Sequence, residues 1–589
     1  MSGSLTNYIA YVENSTTNVS RIGHLDTASG TIQPLSFVSG TPLRDLYQVI
    51  AAGDENIIPG VGESPIPLDS VKILPVISGR DILAVGKNYP EHATEFNRSG
   101  YDSSDKVDQP SHPVIFTKRA TSIIAHGDPI LPHPEFTKTL DYEGEIGVII
   151  GKAGFQIPEA DAWDYVWGYT IINDVTAREK QRDHKQFFIG KSADSFAPIG
   201  PIAVPASHLP KTLRVQTFVN GQQRQDGNTD QLIFSIPTLI HTLSEGQTLQ
   251  PGDVIATGTP AGVGFGQNPP TFLQPGDEVE VRVTGLGSLR NKVAPVSTSN
   301  STLSNLQKTS PIPTTNLAKS VNGVSLTQIN GKALYYQTRG SGSPIVFIHG
   351  LGGSSEHYTP LISALSLDKS HTVHLLDLEG HGLSPTSALS ALSIESFAAD
   401  IKGVFDHAGI TSSSGATLVG HSMGCLIALH FVLQNPGLVK KLILLGPPPN
   451  PLPEAASKGS IARAALVREK GMAAVVDAVA TAATSEATKS NNPVAMAAVR
   501  LSLLSQDPEA YAKACQALAG ATTAFPLDKV DSQTLVVTGD EDKVSPPAVA
   551  AKYASTIPNS QEAVVLEGVG HWHIFEDVQG VANAVKSFI

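Results

Sequence analysis

The chain has 589 residues, of which 41% are hydrophobic and 16% charged, and its formal net charge is −13. Because this length exceeds what one hydrophobic core supports, we expect at least two folded domains. The acidic balance, without clustered Lys and Arg, argues against nucleic acid or an anionic membrane as a partner, so we expect small-molecule substrates.

Two cysteines, Cys425 and Cys515, indicate a reducing compartment without a disulfide framework. The first residues lack a charged segment leading into an apolar one, and no stretch reaches about 18 apolar residues. The sequence therefore predicts a cytoplasmic protein that is not exported and does not cross a membrane.

The first half of the chain is rich in Val and Ile runs separated by Pro and Gly turns. Two examples are PVIFTKRATSIIAHGDPILP (113–132) and LRVQTFVNGQQRQ (213–225). Runs of β-branched residues bounded by turn residues predict strands, and long helical patterns are scarce here. We therefore expect this half to be mostly β.

A possible acid–base pair lies in LAVGKNYPEHATEF (83–96), where His92 and Glu95 are three positions apart. On a short helix this spacing places the two side chains on one face, and Glu95 could then orient His92 as a general base. The alternative is a plain surface turn, because a polar segment such as EHATE is common.

Two acids begin an otherwise apolar run in LDYEGEIGVIIGK (140–152). Glu143 and Glu145 point to the same face of an extended strand, so burial would require a counter-charge such as a divalent cation. A third acid, Asp174, ends the apolar run of WGYTIINDVTAR (167–178). An all-oxygen set suits Mg²⁺ or Mn²⁺. Taken alone, a Glu-x-Glu pair is more often found on a solvent-facing edge strand.

Two glycine-rich segments also stand out, GVGFG (262–266) and GLGG (350–353). Neither has the spacing of a dinucleotide or phosphate loop. No nucleotide cofactor is implied.

The composition changes at residues 298–322, which are rich in Ser, Thr, Asn and Pro and predict a solvated linker. Residues 323–589 then alternate short apolar runs with amphipathic stretches such as IESFAADIKGVFDHAG (394–409), which is the βαβ rhythm of a mostly parallel sheet. An Ala-rich region at about 447–525 has a helical pattern without strand-like runs. We expect it to form an inserted helical cap.

A candidate nucleophile lies in GATLVGHSMGCLIAL (415–429), where Ser422 is the centre of a Gly-x-Ser-x-Gly motif between an apolar run and a helical pattern. A strand-to-helix turn with small neighbours is the setting of a nucleophile elbow. Cys425 follows the motif and is expected to be a small packed residue rather than a second nucleophile.

The partners expected for such a serine follow it in the order acid, then histidine. Asp542 comes just after a late apolar run, and its Gly-x-x-Asp spacing from Gly539 favours it over Asp540. His571 follows the next apolar run, with His573 as the rival base.

An oxyanion loop is predicted in FIHGLGGSS (347–355). In this arrangement the backbone N–H of Leu351 would join that of Met423, the residue after the nucleophile, to stabilise a developing oxyanion.

The first half resembles the fumarylacetoacetate hydrolase family, in its acylpyruvase and decarboxylase-like branch, from about residue 75 to 297. The segments that carry the resemblance, in the family's order, are LAVGKNYPEHATEF, PVIFTKRATSII, LDYEGEIGVIIGK, GYTIINDVTAREKQ, GKSADSFAPIGP, VNGQQRQDGNT and GDVIATGTPAGVG. The resemblance implies a mixed β-sandwich roll at 75–297, preceded by a small N-terminal domain at 1–74.

The same resemblance implies roles for particular side chains. It implies three metal ligands, Glu143, Glu145 and Asp174. It implies that Lys191 neutralises charge beside the metal. It implies three contacts to the carboxylate and carbonyl oxygens of the substrate, Arg178, Gln181 and Thr259.

The resemblance further implies that His92 and Glu95 lie on a lid and that the chain forms a homodimer through this half. Gly144 departs from the bulky apolar residue usual at its position. We expect this change to leave the metal ligands untouched and only to loosen packing on the far face of the strand.

Residues 323–589 resemble the α/β-hydrolase superfamily, which implies a doubly wound sheet with a helical cap. DLEGHGLSP (377–385) also fits that superfamily, and the GVGH ending favours His571 over His573 as the base. Within that superfamily it resembles lactone and ester hydrolases such as the enol-lactonases, and also C–C hydrolases of aromatic ring-cleavage products.

These observations predict a bifunctional hydrolase. Its metal-dependent domain would cleave or decarboxylate a β-dicarbonyl or α-keto acid, and its serine domain would open a lactone or cleave an ester. Two alternatives stay open. Both domains could break C–C bonds of ring-cleavage products, or one domain could be inactive and serve as a dimerisation scaffold.

Overall fold

The computed structural model describes residues 5–13, 19–101, 109–296 and 325–589. The chain divides into two compact units, residues 1–315 and 316–589. The predicted linker at 298–322 lies outside the described residues. Among the described residues, no helix combines the length and the apolar character needed to cross a bilayer.

The strands described in the first unit are numbered in chain order. They are β1 Tyr8–Glu13, β2 Arg21–Asp26, β3 Thr31–Phe37, β4 Ile57–Pro59, β5 Ile66–Pro67, β6 Val71–Ile73, β7 Ile82–Gly86, β8 Val114–Lys118, β9 Ile123–Ile124, β10 Leu140–Asp141, β11 Gly144–Ile150, β12 Val166–Asn173, β13 Thr176–Ala177, β14 Ala197–Pro198, β15 Ile202–Pro205, β16 Arg214–Val219, β17 Gln222–Asn228, β18 Val254–Ala256, β19 Glu278–Val283 and β20 Gly287–Lys292. The helices described there are Leu46–Ala52, Pro90–Arg98, Arg178–His184, Phe188–Lys191 and Ile236–Ser244.

The first unit is built on a 12-stranded mixed sheet in the order β4-β3-β2-β1-β15-β12-β11-β18-β7-β8, with β5 paired to β3 and β6 paired to β1. A second, four-stranded sheet has the order β17-β16-β19-β20. Because β1 pairs with β15, the strands before residue 74 continue the large sheet. The mostly β, mixed-sheet fold class predicted for this half is confirmed.

The central strand β11 explains where the acids lie. Its even-numbered apolar residues, Ile146, Val148 and Ile150, share one core with Val215 of β16 and Val281 of β19. Since side chains alternate along a strand, the odd-numbered residues point to the opposite face of the large sheet. Glu145 is therefore on the face directed away from the four-stranded sheet.

The strands described in the second unit are β21 Thr327–Ile329, β22 Lys332–Leu334, β23 Tyr336–Arg339, β24 Ser343–Ile348, β25 His371–Leu376, β26 Ala416–His421, β27 Val439–Leu445, β28 Gln533–Gly539 and β29 Val564–Leu566. Seven of them form a sheet in the order β23-β25-β24-β26-β27-β28-β29. Every pairing in that sheet is parallel except that of β23 with β25.

Helices cover both faces of this sheet, so the predicted doubly wound architecture is confirmed. Leu418 and Leu442 pack on one face with helices Ile394–His407 and Met423–Gln434. The neighbouring residues of the same strands pack on the other face with helices Thr359–Leu365 and Val578–Lys586. Further helices are Pro547–Thr556 and His573–Glu576.

Between β27 and β28 the chain forms a run of helices without a strand among the described residues. They are Glu454–Lys470, Ala473–Ala483, Glu486–Asn491, Pro493–Leu504 and Pro508–Ala519. This insertion occupies the Ala-rich region for which a helical cap was predicted.

Candidate active sites

The first candidate site is formed where β11 and β12 meet. Glu143 precedes β11, Glu145 lies within it, and Asp174 follows β12. The antiparallel register pairs Gly144 with Asn173, and the backbone N–H of Asp174 donates to the carbonyl of Glu143 at 2.8 Å. As a result, one carboxylate oxygen from each of the three acids lies within 4.8 Å of the others, and all three residues are buried.

Three buried cations surround these acids. Lys191 Nζ lies 2.8 Å from Glu143 Oε2 and 2.6 Å from Asp174 Oδ2. Arg178 Nη1 lies 2.5 Å from Glu143 Oε1. Lys118 Nζ lies 2.5 Å from Asp174 Oδ1 and was not predicted from the sequence. Lys118 ends β8 in an apolar strand, where nothing in the sequence marks it as a partner of Asp174.

The acids differ in their electrostatic environment. Burial opposes ionisation of Glu143, but Lys191 and Arg178 outweigh it and lower its pKa to about 2. Burial raises the pKa of Glu145 well above its usual value, and the charges of Asp174 and Glu143 add to that effect. Glu145 is thus the acid of this group that the protein's own cations do not neutralise.

The donor set fits a hard divalent cation. Glu145 Oε2 accepts a hydrogen bond from the Gly258 N–H at 2.8 Å. Glu145 Oε1 is buried and has no hydrogen-bond partner among the described residues. Because an unsatisfied buried carboxylate oxygen is costly, a cation among the three carboxylates would remove both the repulsion and the unmet bond.

Gly144 corrects one expectation. A Cβ at this position would lie 2.0 Å from Thr217 Oγ1 and 3.0 Å from Val281 Cγ1. The expectation that Gly144 loosens packing on the far face was therefore wrong. Thr217 of the four-stranded sheet occupies the space that a side chain would take, so the glycine is required by close packing.

Substitution Gly144→Ala tests this packing. The added Cβ forces Thr217 to shift, and we expect the first unit to lose about 1–3 kcal/mol of stability, as in other overpacked cores. Calorimetric unfolding of the full chain would show a lower midpoint for the first unit. Gly246→Ala is the matched control because a Cβ there meets nothing within 4 Å. Equal midpoints for the two variants would contradict this account of Gly144.

The predicted acid–base pair is adjacent to the acids. His92 and Glu95 lie on helix Pro90–Arg98, and His92 Nδ1 is 3.2 Å from Glu95 Oε2. His92 is buried and lines a small cavity together with Glu143, Arg178 and Lys191. Phe96, Phe187 and Gln181 complete much of its wall.

The predicted substrate contacts have different surroundings. Arg178 Nη1 also donates to Gln181 Oε1 at 3.2 Å, whereas Arg178 Nη2 has no hydrogen-bond partner among the described residues. The Thr259 hydroxyl donates to the Gly144 carbonyl at 2.9 Å and accepts from Gln225 Nε2 at 2.7 Å. In this conformation the Thr259 hydroxyl is engaged with the protein rather than open to a ligand.

The second candidate site is centred on Ser422, between β26 and helix Met423–Gln434. Ser422 has φ 53° and ψ −121°, a backbone conformation that is strained for a residue with a side chain. A Cβ at Gly420 would lie 2.6 Å from the Gly424 carbonyl oxygen, and one at Gly424 would lie 2.3 Å from that of Ile348. The two glycines of the motif are therefore required by the tight turn that presents Ser422.

His571 connects the serine to an acid. His571 Nε2 lies 2.8 Å from Ser422 Oγ, and His571 Nδ1 lies 2.8 Å from Asp542 Oδ2. Asp542 Oδ1 accepts hydrogen bonds from the N–H groups of Val544 and Ser545, each at 2.8 Å. Burial opposes ionisation of Asp542, but His571 and His573 keep its pKa well below the usual value.

The rival residues occupy other positions. His573 is fully buried, and its Nε2 lies 3.2 Å from the same Asp542 Oδ2, behind the pair formed by His571. Asp540 Oδ1 accepts from the N–H groups of Gly568 and Val569 at 2.8 and 3.3 Å, which holds the loop before His571. The geometry thus favours His571 and Asp542.

The remaining predicted residues lie close to Ser422. Met423 begins its helix, where the first N–H groups have no intrahelical acceptor. Gly350, next to Leu351, is so close that a Cβ on it would lie 2.8 Å from Ser422 Cβ. Cys425 is fully buried, and burial raises its thiol pKa well above the usual value. A thiol in this state is a packed residue.

Comparison with known proteins agrees with this division of the chain. A family profile described as the fumarylacetoacetate (FAA) hydrolase C-terminal domain matches residues 81–294, and one described as the alpha/beta hydrolase fold matches residues 343–578. Oxaloacetate tautomerase YisK from Bacillus subtilis (strain 168) is 49% identical over 216 residues, which is 36% of this chain and 69% of that protein.

Two solved structures are also similar to the chain. The fumarylacetoacetate hydrolase of psychrophilic Exiguobacterium antarcticum is 36% identical, covers 49% of this chain and 99% of its own, and has a TM-score of 0.41. A thermophilic esterase from Thermogutta terrifontis, with malate bound, is 26% identical, covers 45% and 96%, and also has a TM-score of 0.41. The two family profiles and the identity to the Bacillus subtilis protein show that the chain belongs to the fumarylacetoacetate hydrolase family through its first unit and carries an α/β-hydrolase domain in its second, so both halves belong to enzyme families.

Proposed function

We propose that the chain is a bifunctional enzyme. Its first unit cleaves or decarboxylates a small β-dicarbonyl or α-keto acid in a metal-dependent reaction, and its second unit hydrolyses a lactone or an ester. The observation that carries the first activity is the buried acid group beside a cavity lined by His92 and Arg178. The observation that carries the second is the Ser422–His571–Asp542 chain of contacts.

Glu143, Glu145 and Asp174 would hold the metal, Mg²⁺ or Mn²⁺. When bound, such an ion polarises a carbonyl group and stabilises the negative charge of an enolate. The side chains around it supply binding and proton transfer. Arg178 Nη2, which lacks a hydrogen-bond partner in the described part of the chain, would donate to a substrate carboxylate, and Lys191 offsets the charge of the acids.

His92 is the proposed base of the first unit. Glu95 lies within hydrogen-bond distance of His92 Nδ1, so it can hold the ring with Nε2 free to take a proton from water or from a carbon next to a carbonyl. Phe96 and Phe187 line the same cavity and give it an apolar wall beside the base.

A second candidate reaction for the first unit is the enol–keto conversion of oxaloacetate. The observation that favours it is the 49% identity to the Bacillus subtilis oxaloacetate tautomerase. Both reactions place negative charge on the same enolate oxygen, and both need a proton moved at carbon. Product analysis separates them, since cleavage or decarboxylation shortens the carbon skeleton and tautomerisation does not.

In the second unit Ser422 Oγ would attack the carbonyl carbon while His571 takes its proton, and Asp542 would hold the imidazole in the required tautomer. The N–H groups of Leu351 and Met423 would stabilise the oxyanion. The other possible outcomes are C–C cleavage of ring-cleavage products by both units, and one inactive unit within a homodimer. Separate assays for each unit, with light scattering for the mass in solution, distinguish them.

Metal removal gives the expected signature of two independent sites. Treatment of the full chain with EDTA should abolish turnover of oxaloacetate and acetylpyruvate, and Mn²⁺ should restore it, because Glu145 needs a cation to stay ionised. Hydrolysis of p-nitrophenyl acetate should be unchanged, because the serine site contains no group of metal ligands among the described residues. Keto-acid turnover that persists in EDTA would contradict metal dependence.

A further inference from the structure

We propose that the glycine-rich loop 262–266 is the positioning element of the first active centre, because it holds the carboxylates that orient both His92 and Arg178. The inference rests on the function proposed for the first unit. It gives a role to a motif whose spacing excludes a phosphate-binding loop. Phe265 and Gly266 are its positioning residues, since they act through neighbours and are not placed on the substrate.

The two ends of the loop, Gly262 and Gly266, contact Glu95, the partner of His92. The Gly262 N–H lies 3.3 Å from each of Glu95 Oε1 and Oε2. Gly266 approaches the same carboxylate so closely that a Cβ on it would lie 1.5 Å from Glu95 Oε1. The carboxylate that orients His92 is therefore seated against two glycines of the loop.

The middle of the loop holds Asp141, the partner of Arg178. The N–H groups of Gly264 and Phe265 donate to Asp141 Oδ1 and Oδ2 at 2.6 and 3.2 Å. Asp141 Oδ2 in turn accepts from Arg178 Nε at 2.8 Å. Asp141 is fully buried, and its carboxylate also accepts from the Tyr142 N–H at 2.9 Å, so hydrogen bonds from the protein satisfy it.

The Phe265 ring lies between the two groups. Its centroid is 4.5 Å from Arg178 Cζ, which places the guanidinium over the aromatic face. The same centroid is 6.0 Å from that of the His92 ring and 5.6 Å from that of Phe96. A single short loop thus sets the spacing between the proposed base and the proposed carboxylate-binding arginine.

The glycines are explained by this close approach. Gly262 has φ +105°, and a Cβ there would lie 2.0 Å from the Arg224 carbonyl oxygen. At Gly264 a Cβ would lie 2.3 Å from the Thr271 carbonyl oxygen and 2.5 Å from Asp141 Oδ1. Side chains at these positions would push the loop away from the carboxylates it binds.

Two substitutions in the full chain separate the contact with Glu95 from the contact with Arg178. Gly266→Ala displaces Glu95 without removing any catalytic group, so kcat for oxaloacetate with Mn²⁺ should fall at least about tenfold while KM changes little. Phe265→Leu removes the aromatic face under Arg178, so KM should rise about tenfold with a smaller change in kcat. Phe265→Tyr keeps the aromatic ring, so its KM should stay close to that of the wild type.

Controls make each result decisive. Gly246→Ala, in open space within the same unit, should match the wild type. Mn²⁺ affinity measured by electron paramagnetic resonance should be retained in Gly266→Ala, which excludes a folding defect. If Gly266→Ala does not fold, the comparison of Phe265→Leu with Phe265→Tyr decides alone.

The proposal is overturned if Gly266→Ala behaves as Gly246→Ala does, or if Phe265→Leu and Phe265→Tyr have the same KM. A wild type that turns over neither oxaloacetate nor acetylpyruvate would instead contradict the function proposed for the first unit, and the positioning role with it. An active wild type with unchanged loop variants would leave that function standing and remove only the role of the loop.

Discussion

Ser422→Ala should abolish hydrolysis of p-nitrophenyl acetate and of small lactones by the full chain, with a loss of about 10⁴-fold or more in kcat. The reason is geometric. Ser422 Oγ is the atom that His571 Nε2 contacts at 2.8 Å, whereas the nearby thiol of Cys425 is buried and its pKa is raised. Steady-state kinetics with both substrate types measures the effect.

The same variant should keep its metal-dependent turnover of oxaloacetate or acetylpyruvate. Ser412→Ala is the matched control, because Ser412 is exposed in a loop of the same unit. His571→Gln should reproduce the loss, whereas His573→Gln should retain most activity. Loss of the keto-acid activity in Ser422→Ala would contradict independent sites.

Glu145→Gln should remove the metal-dependent activity and leave ester hydrolysis intact. Substitution of residues that hydrogen-bond to metal ligands typically lowers metal affinity or activity about 10–100-fold. Loss of a ligand itself should therefore lower Mn²⁺ affinity or kcat/KM at least about 100-fold. Glutamine keeps the shape and the hydrogen bond from the Gly258 N–H but cannot supply the missing negative charge.

Stability separates this loss from misfolding. In the metal-free protein, burial together with the charges of Asp174 and Glu143 raises the pKa of Glu145 and disfavours its charged form. Glutamine is neutral at the same position, so the first unit of the metal-free variant should unfold at the same or a higher temperature than the metal-free wild type. Glu159→Gln, at an exposed position, is the control and should change neither activity nor midpoint. A destabilised Glu145→Gln variant would contradict the electrostatic account of this site.

Much of the fold could be predicted from the sequence because it depends on residues that are close together in the chain. The alternation in β11 predicted that Glu143 and Glu145 share a face, and the register of β11 with β12 brings Asp174 beside them. The Gly-x-Ser-x-Gly motif was readable because only small residues fit around Ser422. In the same way, an Ala-rich stretch without strand-like runs predicted the helical insertion.

Contacts between residues far apart in the sequence could not be predicted from it. Lys118 reaches Asp174 from β8, and Asp141 reaches Gly264 and Phe265 from another part of the unit. The sequence favoured His571 over His573 only by its resemblance to the superfamily. The two histidines are separated by one residue, so only the position of Asp542 in the fold distinguishes them. Gly144 was misjudged because its neighbour Thr217 belongs to a different sheet. In each case the deciding contact is tertiary.

The central claim is that Glu143, Glu145 and Asp174 are buried together because they share a divalent cation. Anomalous diffraction from crystals of the full chain soaked in Mn²⁺ tests it most directly. We expect one strong manganese peak bonded to oxygens of all three acids, and no such peak in Glu145→Gln crystals. Wild-type crystals without a peak there, with the acids held by Lys118, Lys191 and Arg178 alone, would contradict it.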